Sequence, residues 1–247
     1  METKFEPVMS GRRAPVAPLP ATPSGAGGAT LPIAQNAVLR NTYWLLALSM
    51  LPTVAGAFVG MQFNFAAVFR AAPIMAPLLM FAAMLGSLFV VTRLRNSAWG
   101  VVALLGFTFI AGVFLTPILT VAAGFRNGGQ LVALAGGMTA AIFFAMATIA
   151  TVTKKDFSFM GKFLMVGLVL LIVASLANLF FQVPALSLTI SAVAVLIFSA
   201  YILYDVSNIV RGGETNYVMA TLGLFLNVYN LFISLLNILL AFTGQRD

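Results

Sequence analysis

The sequence contains no Cys and no His among its 247 residues. Without Cys the chain can form no disulfide, no thiolate nucleophile and no thiolate metal site. Without His it has no imidazole metal ligand, no Ser–His dyad and no histidine pH switch. Because most hydrolases and redox enzymes depend on one of these groups, we expect a protein that is not an enzyme. We also expect no resident metal and no cofactor.

Charge is the second scarce property, since only 8% of the residues are charged and 61% are hydrophobic. Soluble domains have about a quarter charged residues, so this composition indicates an integral membrane protein whose first partner is the lipid bilayer. The formal net charge is +7, but the 13 Lys and Arg residues lie mostly between apolar segments. That placement is typical of membrane topology and argues against nucleic acid as a partner.

Seven apolar segments, each near the length of about 20 residues that crosses a bilayer as a helix, predict an all-α fold. The expected architecture is a seven-transmembrane-helix bundle with spans at 43–62, 71–91, 98–121, 131–152, 161–181, 184–207 and 217–242. Only residues 181–184 separate the fifth and sixth segments, which leaves a count of six open. Pro184 favours two helices, because proline cannot continue the preceding hydrogen-bond ladder.

The first 40 residues differ from the rest of the chain, because they are rich in Pro, Gly and Ala and have no long apolar run. Such a segment has too little contiguous apolar surface to form a core, so it is predicted to be disordered. The domain organisation is therefore a tail at 1–40 and a transmembrane domain at 41–247.

The distribution of basic residues predicts the orientation in the membrane. With seven spans and a cytoplasmic N-terminus, the inner side receives Lys4, Arg12, Arg13, Arg40, Arg93, Arg95, Lys154, Lys155, Lys162 and Arg211. The outer side receives only Arg70, Arg126 and Arg246. This excess predicts a cytoplasmic N-terminus and a C-terminus outside. The Ala-rich composition and the short C-terminal segment indicate a bacterial inner membrane.

The last two spans each carry a stripe of small and polar residues at spacings of three and four, which places them on one helix face. In the last span the stripe is Ala220, Gly223, Asn227, Asn230, Ser234, Asn237 and Ala241. In the sixth it is Ser187, Ser191, Ala194, Phe198, Tyr201, Asp205 and Asn208. Polar groups are costly in lipid, so both stripes should face protein or water. The last helix is therefore predicted to be central.

Asp205 is the one acidic residue inside a predicted span. It is either an interfacial carboxylate that reaches water beside Arg211, or a group facing the bundle interior in an ion path or pH-sensing site. Its place on the stripe with Tyr201 and Asn208 favours the second interpretation. Three basic residues on the predicted inner side are its possible charge partners: Arg211, Arg93 and Arg95.

Two further features concern helix packing. Gly56 and Gly60 form a GxxxG pattern in the first span, which allows close contact between helices. Pro117 lies within the third span and predicts a kink there. Neither feature indicates a chemistry.

Residues 201–217, YILYDVSNIVRGGETNY, resemble the signature stretch of the Bax inhibitor-1 family, also called the transmembrane Bax inhibitor motif family. Residues 224–236 resemble the last span of that family, and residues 106–109 with 117–119 resemble its third span. The resemblance covers roughly residues 43–242 and is strongest to the bacterial branch. It implies a seven-helix bundle with a central last helix. It also implies a pH-sensitive calcium leak, protection against stress or, in bacterial relatives, modulation of a membrane-anchored ATP-dependent protease.

In leak-type members of that family, two aspartates on the last two helices share a proton and sense pH. Asp205 matches the first, whereas Asn227 stands at the second position. An amide can hydrogen-bond to Asp205 but cannot titrate with it, so the sensor is half complete and weaker or shifted pH gating is expected. Simple hairpin geometry places Asp205 opposite residue 221, so its contact with Asn227 is implied by the resemblance alone.

Two functions follow from these observations. The first is a leak channel that passes calcium ions in transit, with an ion path or pH sensor formed by Asp205, Asn227, Asn230, Tyr201 and Asn208. The second is a non-transporting membrane regulator that binds a membrane-anchored ATP-dependent protease or another stress-response partner. In the second case the tail would serve as a docking or degradation handle.

Overall fold

The fold is seen in a computed structural model, which describes residues 30–63, 66–153 and 155–244. In that part of the chain every regular element is a helix. The helices are α1 (Thr30–Gln62), α2 (Ala66–Ala71), α3 (Met75–Leu94), α4 (Trp99–Phe114), α5 (Thr116–Ala123), α6 (Gly128–Thr153), α7 (Met160–Phe181), α8 (Pro184–Val210) and α9 (Tyr217–Thr243).

Seven segments are long and apolar enough to cross a bilayer, with α4 and α5 together making the third. The predicted all-α, seven-span bundle is thus confirmed. Gln182 ends α7 in the left-handed conformation, and Pro184 then stands in the first turn of α8. Proline is tolerated there because the first N–H groups of a helix have no partner within it. The fifth and sixth spans are therefore separate helices.

Helix α1 begins earlier than the predicted boundary at residue 41. Its bilayer-spanning part runs over Asn36–Gln62, and the helix itself starts at Thr30. Pro32 does not prevent this start, because it lies in the first turn, where its missing N–H is not needed. The rest of the predicted tail, residues 1–29, lies outside the described residues.

Helix α9 occupies the centre of the bundle. It packs on α8, α6 and α1, and it also touches α4 and α5. Half of the residues in its most apolar stretch are buried in protein, against 11% for α3 and for α7. The prediction that the last helix is central is therefore confirmed, and α3 and α7 are the helices that face lipid most fully.

The third span is broken at Leu115, between α4 and α5, just before Pro117. The Leu115 N–H turns to the Gly112 carbonyl, at 3.0 Å, which frees the carbonyl of Ala111 from its usual helical partner. The buried Tyr229 hydroxyl on α9 donates to that carbonyl at 2.9 Å. The helix is thus interrupted close to Pro117, where a kink was predicted, and α9 satisfies the polar group that the break exposes.

Replacing Tyr229 with Phe should lower the free energy of unfolding by about 2 kcal/mol, because the Ala111 carbonyl would be left buried without a donor. Tyr217→Phe is the matched control, since Tyr217 lies exposed at the start of the same helix. The measurement is denaturant unfolding in detergent micelles. Equal stability of the two variants would show that the hydroxyl contributes nothing at the break.

Helices α1 and α4 approach closely through glycines. Gly56 of α1 lies against the backbone carbonyl of Phe109, and Gly112 of α4 lies against that of Thr53. Gly60, one turn further along α1, faces the side chain of Thr116. The GxxxG pattern of the first span therefore does mediate close helix contact.

Candidate functional site

The polar stripes of α8 and α9 face each other, and their central contact is a hydrogen bond between a carboxyl and an amide. Asn227 Nδ2 donates to Asp205 Oδ2 at 2.7 Å. Asn227 is buried, with 6% of its surface exposed, and Asp205 is partly buried. Asp205 thus faces α9 and the bundle interior.

Asp205 contacts Asn227 rather than residue 221, which lies opposite it in simple hairpin geometry. The difference arises because the connection between α8 and α9 is not a tight turn. Helix α8 ends at Val210, and the chain continues to Asn216, whose backbone is extended. Asp205 stands five residues before the end of α8, whereas Asn227 stands ten residues after the start of α9. Helix α9 therefore begins about 7.5 Å beyond the end of α8, at 1.5 Å per residue.

Gly223, one turn before Asn227, leaves the space that the carboxyl group occupies. A Cβ at this position would lie 3.2 Å from Asp205 Oδ2, tighter than ordinary contact. The small residues of the α9 stripe therefore let a polar side chain of α8 reach the central helix.

A cavity of about 1040 Å³ lies beside this pair, between α3, α7, α8 and α9. The site residues that line it are Tyr201, Asp205, Asn227 and Asn230. Apolar side chains of α3 and α7 form the opposite walls. The cavity is thus mainly apolar, and its polar groups lie on α8 and α9 and also on α7, at Ser175 and Asn178.

A second polar cluster lies further along the same cavity. Asn237 Nδ2 donates to Ser191 Oγ at 2.8 Å and to Ser187 Oγ at 3.3 Å. Asn237 is ten residues after Asn227, which corresponds to about 15 Å along the helix. The α8 and α9 stripes are therefore joined by side-chain hydrogen bonds at two levels.

Between these levels the polar groups bond within their own helix. Asn230 Nδ2 donates to the Leu226 carbonyl at 2.8 Å, and Ser234 Oγ donates to the Asn230 carbonyl at 2.7 Å. Asn230 and Ser234 also line the cavity, so a line of polar residues runs along it from Asn227 to Asn237. The polar side chains along this line can hold α8 and α9 together, or they can coordinate a passing cation.

Comparison with known proteins decides the family. The family model described as inhibitor of apoptosis-promoting Bax1 matches residues 35–244, which include every element of the site. The chain belongs to the Bax inhibitor-1 family. The predicted resemblance is confirmed, and its bacterial branch is represented by several relatives at about 40% identity.

Three bacterial relatives illustrate the similarity. An uncharacterized protein of Pseudomonas aeruginosa is 42% identical over 203 residues, covering 82% of this chain and 88% of its own length. The modulator of FtsH protease YccA of Escherichia coli K12 is 40% identical over 209 residues, covering 84% of this chain and 91% of its own. A membrane protein of Vibrio cholerae is 41% identical over 204 residues, covering 83% and 89%. The chain is thus an integral membrane protein of this family.

Asn208 is the one predicted site residue that does not line the cavity. It lies in the last turn of α8, where its carbonyl accepts a hydrogen bond from the Gly213 N–H at 2.9 Å. Gly213 packs against the Asn208 side chain, and the preceding Gly212 has a positive φ of 77°. Asn208 therefore shapes the end of α8.

Arg211, expected as a partner of Asp205, instead binds the loop between α6 and α7. Its guanidinium pairs with Asp156 and donates to Ser158 Oγ at 2.6 Å. Hydrogen bonds from Ser158, together with Arg211, lower the pKa of Asp156 to about 2. The expected pairing is wrong because Asp156 lies in the loop beside the end of α8, outside the bilayer-spanning segment that contains Asp205.

The other two expected charge partners also lie elsewhere. The exposed Arg93 stacks over the Phe89 ring at 5.0 Å, and the side chain of Arg95 is exposed between α3 and α4. Across the described ranges, no Lys or Arg forms an ion pair with Asp205. In the same ranges, no group of three or more His, Cys, Asp or Glu residues could hold a metal ion.

Asn216 is the structural residue that the sequence reasoning missed. Its Oδ1 accepts from the N–H groups of Val218 and Met219, which caps the start of α9. Its Nδ2 donates to the Arg95 carbonyl at 3.0 Å and to Asn96 Oδ1 at 2.9 Å. An Asn directly before an apolar helix is a typical N-cap signal. Its tie to the α3–α4 loop could not be read from spacing.

Proposed function

We propose that this chain is a non-enzymatic regulator of a membrane-anchored ATP-dependent protease in a bacterial inner membrane. The observation that carries the proposal is its 40% identity to the modulator of FtsH protease YccA over 91% of that relative. The same similarity to a protein named inner membrane protein YccA, from a second Escherichia coli strain, supports the location.

The geometry of the polar site is consistent with a scaffold role. The Asp205–Asn227 and Asn237–Ser191 bonds both join α8 to the central helix. Each bond joins a polar side chain of α8 to one of α9, so these contacts stabilise the packing of the two helices. In this proposal the pairs keep the bundle rigid while its surface binds the protease.

Two parts of the chain are suited to that binding. Helices α3 and α7 expose most of their apolar surface, and Phe163 of α7 is 78% exposed. Such helices can pack against the transmembrane helices of a partner. The Pro- and Gly-rich residues 1–29 precede α1 and would lie in the cytoplasm by the predicted orientation. We assign this tail the role of docking or degradation handle.

Deletion of residues 1–29 tests the handle without altering α1. We expect the shortened protein to insert and fold normally but to lose co-purification with the protease, because the docking segment is gone. The matched control replaces residues 1–29 with a Gly/Ser segment of equal length. Retention of the protease by both variants would refute the role of the tail.

A cation leak is the second candidate function, and the polar line beside the 1040 Å³ cavity favours it. Asp205, Asn227, Asn230 and Tyr201 line this space, and a carboxyl group beside amide oxygens suits a hydrated cation such as calcium. With Asn227 in place of a second acid, only Asp205 in this pair can exchange a proton. The pH response should therefore involve one proton rather than two.

Calcium entry into liposomes, measured from pH 5 to 8, tests the leak. We expect any entry through the unmodified chain to change gradually with pH and to become steeper in Asn227→Asp, because two neighbouring carboxyl groups titrate as a coupled pair. A steep two-proton response of the unmodified chain would contradict this account of Asn227. Entry in neither protein would refute the leak.

A further inference from the structure

A second cavity of about 610 Å³ lies between α1 and α6, on the face of α9 opposite the Asp205 cavity. Both α1 and α6 pack on α9, and the groove between them reaches the central helix at Phe225 and Val228. The rings of Tyr43 and Phe143 meet edge to face across it, with centroids 6.0 Å apart. We name this space the α1–α6 groove.

The α1–α6 groove opens to the bilayer, because Ala47 of α1 and Ala140 of α6 line it and are exposed. Its walls are mainly apolar, and the residues with hydroxyl groups among them are Tyr43, Thr53, Thr139, Thr148, Thr151 and Tyr229. Inside the hydrocarbon region, acyl chains are the solvent, so an apolar groove open to the bilayer is filled by them. The occupant is thus a lipid chain rather than a water-soluble ligand.

One end of the α1–α6 groove has polar and charged character. The Tyr43 hydroxyl is buried and has no hydrogen-bond partner among the described residues, which is unfavourable for a phenol oxygen. Arg40 is exposed and lies three residues earlier on α1, about 4.5 Å nearer the predicted cytoplasmic surface. An anionic head group beside Arg40 would bring acceptor oxygens to this end of the groove.

We propose that the α1–α6 groove binds one acyl chain of an anionic phospholipid, with its head group beside Arg40. The bound lipid completes the contact of α1 and α6 with the central helix. This inference does not depend on the protease-regulating function, because it concerns a different face of α9.

Native mass spectrometry of the full chain tests the site. The protein is mixed in detergent with phosphatidylglycerol or phosphatidylcholine, and the lipid that it retains is measured after its release from the detergent. We expect one phosphatidylglycerol to be retained per chain, in preference to phosphatidylcholine. Ala140→Phe fills the groove and should abolish this retention. Ala145→Phe is the matched control, because Ala145 is exposed on the same helix and does not line the groove.

The head-group contact is tested separately with Arg40→Gln, which should remove the preference for phosphatidylglycerol while leaving the groove open. Equal thermal stability of the Ala140→Phe and Ala145→Phe proteins shows that both fold. Unchanged lipid retention in Ala140→Phe would overturn the proposal. Dimers that are abolished by Ala140→Phe would also overturn it, since the groove would then bind a second copy of the chain.

Discussion

Gly112→Ala should destabilise the bundle by about 3 kcal/mol, the upper part of the range for overpacking a core. A Cβ on Gly112 would overlap the carbonyl oxygen of Thr53 and lie 2.9 Å from its Cα. Both are backbone atoms of α1, so no side-chain rotation can relieve the clash. The two helices must separate, which also disturbs Gly56 against Phe109. Denaturant unfolding in detergent micelles measures this loss of stability.

Gly106→Ala is the matched control on the same helix. Nothing lies within 4 Å of a Cβ built at Gly106, so the added methyl meets open space. Because Ala favours a helix over Gly by about 1 kcal/mol, this variant should be as stable as the original chain or more so. If Gly112→Ala were equally stable, the close approach of α1 and α4 would be contradicted.

Asn227→Leu should lower the free energy of unfolding by about 2 kcal/mol, because it leaves the Asp205 carboxyl partly buried without its amide donor. Adding Asp205→Leu should recover part of that loss, since the double variant has no unpaired polar group at this site. The double-mutant cycle therefore reports the coupling of the two residues directly.

Asn230→Leu is the control for this cycle. Asn230 lies one turn further along α9, and its amide donates only to its own helix, at the Leu226 carbonyl. The substitution should cost less than Asn227→Leu, and its effect should be additive with Asp205→Leu. Additivity in the Asn227 cycle as well would show that the carboxyl–amide bond does not couple α8 to α9.

Hydropathy and periodicity predict most of this fold. The apolar segments predict the seven spans, because crossing the bilayer requires long apolar helices. The polar stripe of α9 also predicts its central position, because a helix with that face cannot be surrounded by lipid. Sequence could not predict that α1 begins at Thr30, since a helix beyond the bilayer needs no apolar pattern.

The candidate site is less fully predictable. Stripe spacing brings Asp205 to α9, but it does not set the helix offset that selects Asn227 rather than residue 221. That offset depends on the six residues that connect Val210 to Tyr217 and on the bonds from Asn216 to the α3–α4 loop. The ion pair of Arg211 is also not predictable from sequence, because its partner Asp156 is distant along the chain and lies in a connecting loop. Contacts between loops leave no periodic signal.

The most direct test of the regulator is a single experiment with the purified protease. The protease and a membrane-protein substrate are placed in liposomes that contain a calcium indicator, with or without this chain. Degradation of the substrate and calcium entry are then followed together.

We expect the chain to change the degradation rate, and we expect that effect to be lost on deletion of residues 1–29. An unchanged degradation rate, accompanied by calcium entry that depends on the chain, would contradict the regulator and establish the leak in its place.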